Sequence, residues 1–220
     1  MSFMIREANH PEEIEKIARF RYEVYIEEMG KPMLEADHSS RTLRDSLDAG
    51  ATHMFAARNG EVVGSLRIAW GESGIPKDYY EWYGLGAFSH FPSSAFSFTG
   101  RLMVAKDLRA TRLALNLLCF GYRIAREHRI SFDFAHTTPP LVRFFQRIGH
   151  RLYRENFVDP QLGQRIPMVG VLDDHEHLEA IRSPFRTIAS QFAADPYPPS
   201  WFTSNLAHSR GDFAEGVAGT

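Results

Sequence analysis

Residues 53–70, HMFAARNGEVVGSLRIAW, constrain the fold more than any other stretch. Two runs with alternating apolar positions flank the pair Asn59-Gly60. Alternation places one face of each run on a core, and Asn-Gly tolerates the positive φ of a two-residue turn. The chain is therefore expected to build around an antiparallel hairpin. In its second run Val62, Gly64, Leu66, Ile68 and Trp70 share one face, opposite Val63, Ser65, Arg67 and Ala69.

Helical and strand patterns surround this hairpin. NHPEEIEKIARFRYEVYIEEMG reads as a helix capped by Asn9 or His10, with Pro11 in its first turn and Gly30 as its stop. SSRTLRDSLDAG reads as a second, shorter helix ending at Gly50. AFSFTGRLMVA is a third strand, 109–128 an apolar helix, ISFDFAH a fourth strand and TPPLVRFFQRIG a helix; HRLYRE and IPMVGVLDD complete the strands before a short helix HEHLEAIR. This order implies an α/β sandwich around a mixed sheet. Residues 1–182 are read as one domain and 183–220 as a loosely packed extension. The segment 71–94 reads as an insertion whose aromatics (Tyr79, Tyr80, Trp82, Tyr83, Phe88, Phe91) roof a pocket or face a partner subunit.

Composition narrows the function classes. A net charge of −2 gives no electrostatic reason to expect nucleic acid. The one cysteine, Cys119, excludes an internal disulfide framework and fits a core position in a reducing, cytoplasmic setting. No signal peptide and no membrane span are expected. His175 and His177 lack a third ligand at useful spacing, so no metal is expected.

Two arginines stand in mid-strand, Arg67 and Arg101, and an unpaired guanidinium there would be costly to bury. Asp45 and Asp48 are the available carboxylates, and Arg21 and Tyr25 lie four apart on the first helix. The residues allow either a buried network that only fixes the fold or a substrate-binding cluster. His136, at the end of the fourth strand, and the Asp45/Asp48 pair acting through water are the candidate general bases. His53 is read as a packing or hydrogen-bonding histidine.

RFRYEVYIEEMG, RDSLDAGATHMFAARNGEVVGSLRI and GRLMVAKDLR together resemble the long-chain N-acyl amino acid synthases and the acyl-homoserine lactone synthases, both GNAT-type acyltransferases. The resemblance runs from about Glu12 to about Asp174. It implies a GNAT-like, mostly antiparallel mixed sheet with helices on both faces and a splay between the third and fourth strands. It also implies acyl transfer from a thioester to a primary amine. Arg21, Tyr25, Asp45, Asp48, Arg67 and Arg101 match positions on the acceptor side, and backbone N–H groups around Met103, Val104 and Ala105 match the oxyanion donors.

Departures from these families shape the expected partners. Phe98, Thr99 and Gly100 stand where lactone synthases carry a glutamate, which argues against S-adenosylmethionine as acceptor. Phe144 and Phe145 replace the tyrosine that many acetyltransferases use as general acid. RATRLA puts Arg112 where coenzyme A-dependent members carry a glycine that lets the backbone approach the pyrophosphate. Arg109, Arg112, Arg143 and Arg147, with Arg123 and Arg126 nearby in sequence, are read as a basic patch for phosphopantetheine or its carrier protein. The expected co-substrate is an acyl carrier protein thioester, with acyl-coenzyme A as the alternative donor. No permanently bound cofactor is expected, the acceptor is an amino acid or related small amine, and a homodimer stays open. A non-catalytic thioester-binding module is the remaining alternative.

Overall fold

The computed structural model describes residues 3–206. In chain order it contains β1 (Met4–Glu7), α1 (Pro11–Tyr22), β2 (Ala36–Asp37), β3 (Thr42–Leu43), β4 (Thr52–Arg58) and β5 (Glu61–Trp70). There follow α2 (Lys77–Trp82), β6 (Phe96–Val104), α3 (Leu113–Glu127), β7 (Phe132–Thr137) and α4 (Val142–Ile148). The last elements are β8 (His150–Leu152), β9 (Phe157–Asp159), β10 (Gly163–Val171), α5 (His175–Ala180), α6 (Arg186–Ala189) and α7 (Tyr197–Asn205). They fall into two compact units. One comprises the chain up to Ser73 with Thr99–Gly121, the other Gly74–Phe98 with the chain from Tyr122 onward.

In the first unit β1 pairs antiparallel with β4, β4 pairs antiparallel with β5, and β5 neighbours β6. Asn59 and Gly60 both take positive φ, 55° and 85°, so the expected tight turn forms. The hairpin is not regular, however. Ala57 pairs with Val62 but Ala56 pairs with Gly64, which leaves Val63 as an extra residue in a β-bulge. The bulge reverses the alternation behind it. Val62 consequently packs with Phe20, Val24 and Met103 rather than on the face of Gly64.

Beyond the bulge, alternation holds. A Cβ on Gly64 would stand 3.0 Å from Leu117 Cδ1, and one on Gly121 would stand 2.8 Å from Leu66 Cδ2. Leu113, Leu117 and Gly121 follow one another at i, i+4 and i+8, so this stripe of α3 lies on that face of β5. Arg67 projects from the opposite face, toward α1. Glu13 starts α1 by accepting the backbone N–H groups of Asn9 and His10 at 2.9 and 3.3 Å. The helix then widens into a π-helical turn over Glu23–Glu28.

The expected helix over 39–50 does not form. Thr42 and Leu43 are buried in a two-residue strand pairing, and only Ser46–Asp48 make a single 3₁₀ turn. Asp45 caps that turn by accepting the Leu47 N–H at 3.0 Å. Short polar side chains that bond their own backbone favour such turns over a helix interior. Helix α3 also begins later than expected, at Leu113, whose N–H donates to Thr111 Oγ1 at 3.2 Å.

In the second unit β7 pairs antiparallel with β10, which pairs antiparallel with β8 and β9. The opening of β6 pairs parallel with β7 as Phe96↔Phe132, Ser97↔Asp133 and Phe98↔Phe134. The insertion contributes Tyr83, Leu85 and Phe88 to the core of this unit. Phe88 is fully buried with its ring edge-on to Phe132 and Phe134, at 5.1 and 5.0 Å between centroids.

Residues 183–206, expected to be loosely packed, bury Phe185, Ala189 and Phe202. The buried pair Arg126–Asp173, at 2.6 Å, ties this segment down: Asp173 accepts the Asp195 N–H and Arg126 donates to the Ala193 carbonyl. The remainder of the extension, residues 207–220, lies outside the described residues. No helix among the described residues is long and apolar enough to cross a membrane.

Candidate active site

Five separate segments of the first unit deliver one buried cluster. Arg21 comes from the last turn of α1, Asp45 and Asp48 from the 3₁₀ turn, His53 from β4, Arg67 from β5 and Arg101 from β6. Arg21 donates to Asp48 Oδ1 at 2.8 Å, and Arg67 Nη1 donates to the same oxygen at 2.9 Å and to Asp45. Arg101 reaches Asp45 Oδ2 through Nε at 3.0 Å and through Nη2. Asp48 Oδ2 accepts the Asp45 backbone N–H at 2.8 Å. Tyr25, carried on the π-helical turn, places its ring 5.2 Å from the Arg101 guanidinium. Arg101 has φ 53°, a conformation a non-glycine residue holds only where its surroundings fix it.

His53 belongs to this cluster, although the sequence reading left it outside. Its Nδ1 lies 3.0 Å from Arg21 Nη2, and its Nε2 lies 3.2 Å from the Asp48 carbonyl. Arginine only donates, so Nδ1 accepts and the proton sits on Nε2 in a neutral ring. Burial pushes this imidazole below its ordinary value, and the adjacent Arg21 charge adds to the effect.

The carboxylates tell the opposite story. Burial disfavours their charged forms, yet Arg67 and Arg101 outweigh it at Asp45, and Arg21 and Arg67 outweigh it at Asp48. Both lie below the usual carboxylate range, Asp48 far below. A carboxylate so strongly held as its anion is a poor proton acceptor. Both carboxylates are thus committed to arginine contacts. Among the groups named here, three guanidinium groups face two carboxylates and a neutral imidazole, one positive charge more than these carboxylates balance. Arg21 and Arg67 are almost fully buried, so Arg101 and the two aspartates form the cluster's accessible edge.

The other candidate residues are distributed as follows. Met103 is buried in the apolar cluster with Phe20 and Val24, and Val104 is buried beside it. The Ala105 N–H is already engaged by the Val63 carbonyl at 2.9 Å, which removes it as an oxyanion donor. Arg109 donates to the Val104 carbonyl at 3.1 Å and to Glu28 at 2.8 Å. Arg112 is exposed just before α3, and exposed Arg143 and Arg147 lie on α4 in the second unit. His136 also lies in the second unit, with Nδ1 2.8 Å from Tyr83 Oη.

Comparison with known proteins adds the family. The FeeM N-acyl amino acid synthase family model matches residues 16–171. A sequence search of curated proteins finds no match. Among solved structures, FeeM itself, an N-acyl amino acid synthase from uncultured soil microbes, superposes with a TM-score of 0.65 at 15% identity, covering 85% of this chain and 98% of that one. BjaI, a coenzyme A-dependent acyl-homoserine lactone synthase, gives 0.64 at 18% identity, with 83% and 91% covered. ElaA of Escherichia coli gives 0.55 at 16% identity, with 77% and 99% covered. These likenesses carry the GNAT-like fold, and the family match carries the activity class. The chain belongs to the FeeM N-acyl amino acid synthase family, a GNAT-type branch of the N-acyltransferases.

Proposed function

We propose that this enzyme acylates the amine of an amino acid, using an acyl carrier protein thioester as donor. The observation that carries this reading is the buried excess of one positive charge in the Arg21–Asp45–Asp48–Arg67–Arg101 cluster. An amino-acid carboxylate neutralises that excess, attracted by the charge of Arg101 at the accessible edge, whose Nε and Nη2 are held by Asp45. Held this way, the amine attacks the thioester carbonyl, the carbon–sulfur bond breaks and the thiol leaves. The amine's proton passes to a base. Asp45, Asp48 and His53 are committed to arginine contacts, so in this reading that base is solvent water. Successive N–H groups of a strand point to opposite edges, and Ala105 points at β5. The Val104 N–H therefore points away from β5 and is the proposed oxyanion donor.

Carrier protein is favoured by the exposed basic residues. Arg112, Arg143 and Arg147 have no ion-pair partner among the described residues, and Arg112 stands where the resemblance to coenzyme A-dependent members would place a glycine. Coenzyme A is the second reading, because BjaI and MesI are coenzyme A-dependent lactone synthases.

Purified protein given decanoyl-carrier protein or decanoyl-coenzyme A with the twenty amino acids separates the two by mass spectrometry. An N-decanoyl amino acid absent with Arg101→Ala supports the activity. Loss of more than about tenfold in Arg112→Glu with the carrier donor alone supports carrier protein; loss confined to coenzyme A supports the second reading. No acylated amino acid from either donor would refute the proposal.

A further inference from the structure

We propose that Arg109 is a positioning residue: with Glu28 it forms a latch that holds the π-helical turn, and Tyr25 on that turn, against the end of β6. The inference rests on the reading of the Arg101 edge as the place where the acceptor arrives. It takes Arg109 out of the basic patch read from the sequence.

All the residues concerned belong to the first unit. The turn over Glu23–Glu28 spaces its backbone bonds more widely than the α-helix before it, with the Met29 N–H donating to the Val24 carbonyl at 3.0 Å. Such turns are rare and depend on contacts outside the helix. Here those contacts lead to β6. Val24 packs with Met103 and Phe20. The Tyr25 ring lies 5.2 Å from the Arg101 guanidinium, which also donates a hydrogen bond to the Tyr25 hydroxyl. Glu28, the last residue of the turn, is gripped bidentately: Oε1 lies 2.5 Å from Arg109 Nη1 and Oε2 2.8 Å from Nη2.

An exposed ion pair is ordinarily worth little, because it must order two long side chains. Arg109 differs in being anchored. Its Nε donates to the Val104 carbonyl at 3.1 Å, and the Ala105 N–H of the same peptide group donates to the Val63 carbonyl at 2.9 Å. That peptide is held at both polar atoms. With Nε, Nη1 and Nη2 all engaged, the guanidinium is fixed in direction and meets the carboxylate fork to fork. The hydrogen bond from Arg109 also holds the Glu28 carboxyl below its ordinary value and keeps it an anion. Tyr25 stands three residues before Glu28, so the grip on Glu28 sets where the Tyr25 ring lies beside Arg101. Cutting the latch frees that end of the turn while the contacts between Asp45 and Arg101 stay in place.

The test compares Arg109→Glu, Glu28→Arg and the two together, using decanoyl-carrier protein, the twenty amino acids and peptide-resolved hydrogen exchange. Exchange over residues 23–31 is expected to quicken at least about fivefold in each single variant and to return to within about twofold of wild type in the double variant. KM for the amino acid acylated is expected to rise about tenfold in the single variants, with KM for the carrier protein within about twofold, and to recover in the double variant. Wild-type exchange in both single variants overturns the latch. A raised carrier-protein KM in Arg109→Glu that the double variant fails to repair makes Arg109 a donor contact and overturns it too. Quickened exchange with an unchanged amino-acid KM overturns the positioning role. No acylated amino acid from the wild type refutes the acceptor reading and the positioning role with it; the exchange pattern needs no substrate and decides the latch by itself.

Discussion

Asp45 divides its two oxygens between Arg67 and Arg101, so the cost of removing it follows from what it leaves behind. Asp45→Asn leaves three guanidinium groups, Arg21, Arg67 and Arg101, opposite the single carboxylate of Asp48. Breaking a buried charge network this way costs about 3–5 kcal/mol, and urea unfolding is expected to show a loss of that order. Acid should act on the same network. Asp45 and Asp48 have folded values below their unfolded ones, so their stabilisation is complete above the unfolded value near about pH 4. It drains away as pH falls toward the depressed folded values. A scan of Tm against pH is expected to be steeper below about pH 4 in the wild type than in Asp48→Asn, which has lost one of these titrations. Equal slopes would show that Asp48 is not one of the groups being held.

The elements explain why the cluster assembles. Val63 is one extra residue in β5, and it decides which side chains meet. Counted from Asn59-Gly60 without a bulge, His53 would oppose Leu66; with it, His53 opposes Arg67 and joins the charged face. That is why the arginines and aspartates were legible from their types and order while His53 was not. A bulge leaves no mark in an alternation pattern that is apolar on both sides of it. The hairpin, the strand order and the α3 helix were legible because periodicity and turn chemistry agree there. The 39–50 stretch was misread because Asp45 and Asp48 bond their own backbone into a single turn while Thr42 and Leu43 pair as a short strand. The close seating of α3 on β5 is testable at Gly64, where a side chain would press on Leu117 and on the Met103 carbonyl. Gly64→Val is expected to cost about 1–3 kcal/mol by overpacking, read as a lower midpoint in urea.

At the scale of the molecule, sequence pattern separates two kinds of aromatic and charged content. The Arg21–Asp45–Asp48–Arg67–Arg101 set lies in the first unit, where each member has a partner and the named charges sum to a positive value. The aromatic set gathers in the second, where the insertion and residues 183–206 supply core that looked peripheral. The extension was illegible because its buried residues, Phe185, Ala189 and Phe202, follow no helical repeat long enough to read. What unites the account is that surplus cation and the class of acceptor it selects. Competing an amino acid against its own amide and its decarboxylated amine, with one acyl thioester in excess, reads this directly. The account predicts a kcat/KM at least about 100-fold higher for the free carboxylate, about 2.7 kcal/mol of discrimination, and its collapse in Arg101→Ala. Equal rates for the acid, the amide and the plain amine would contradict it.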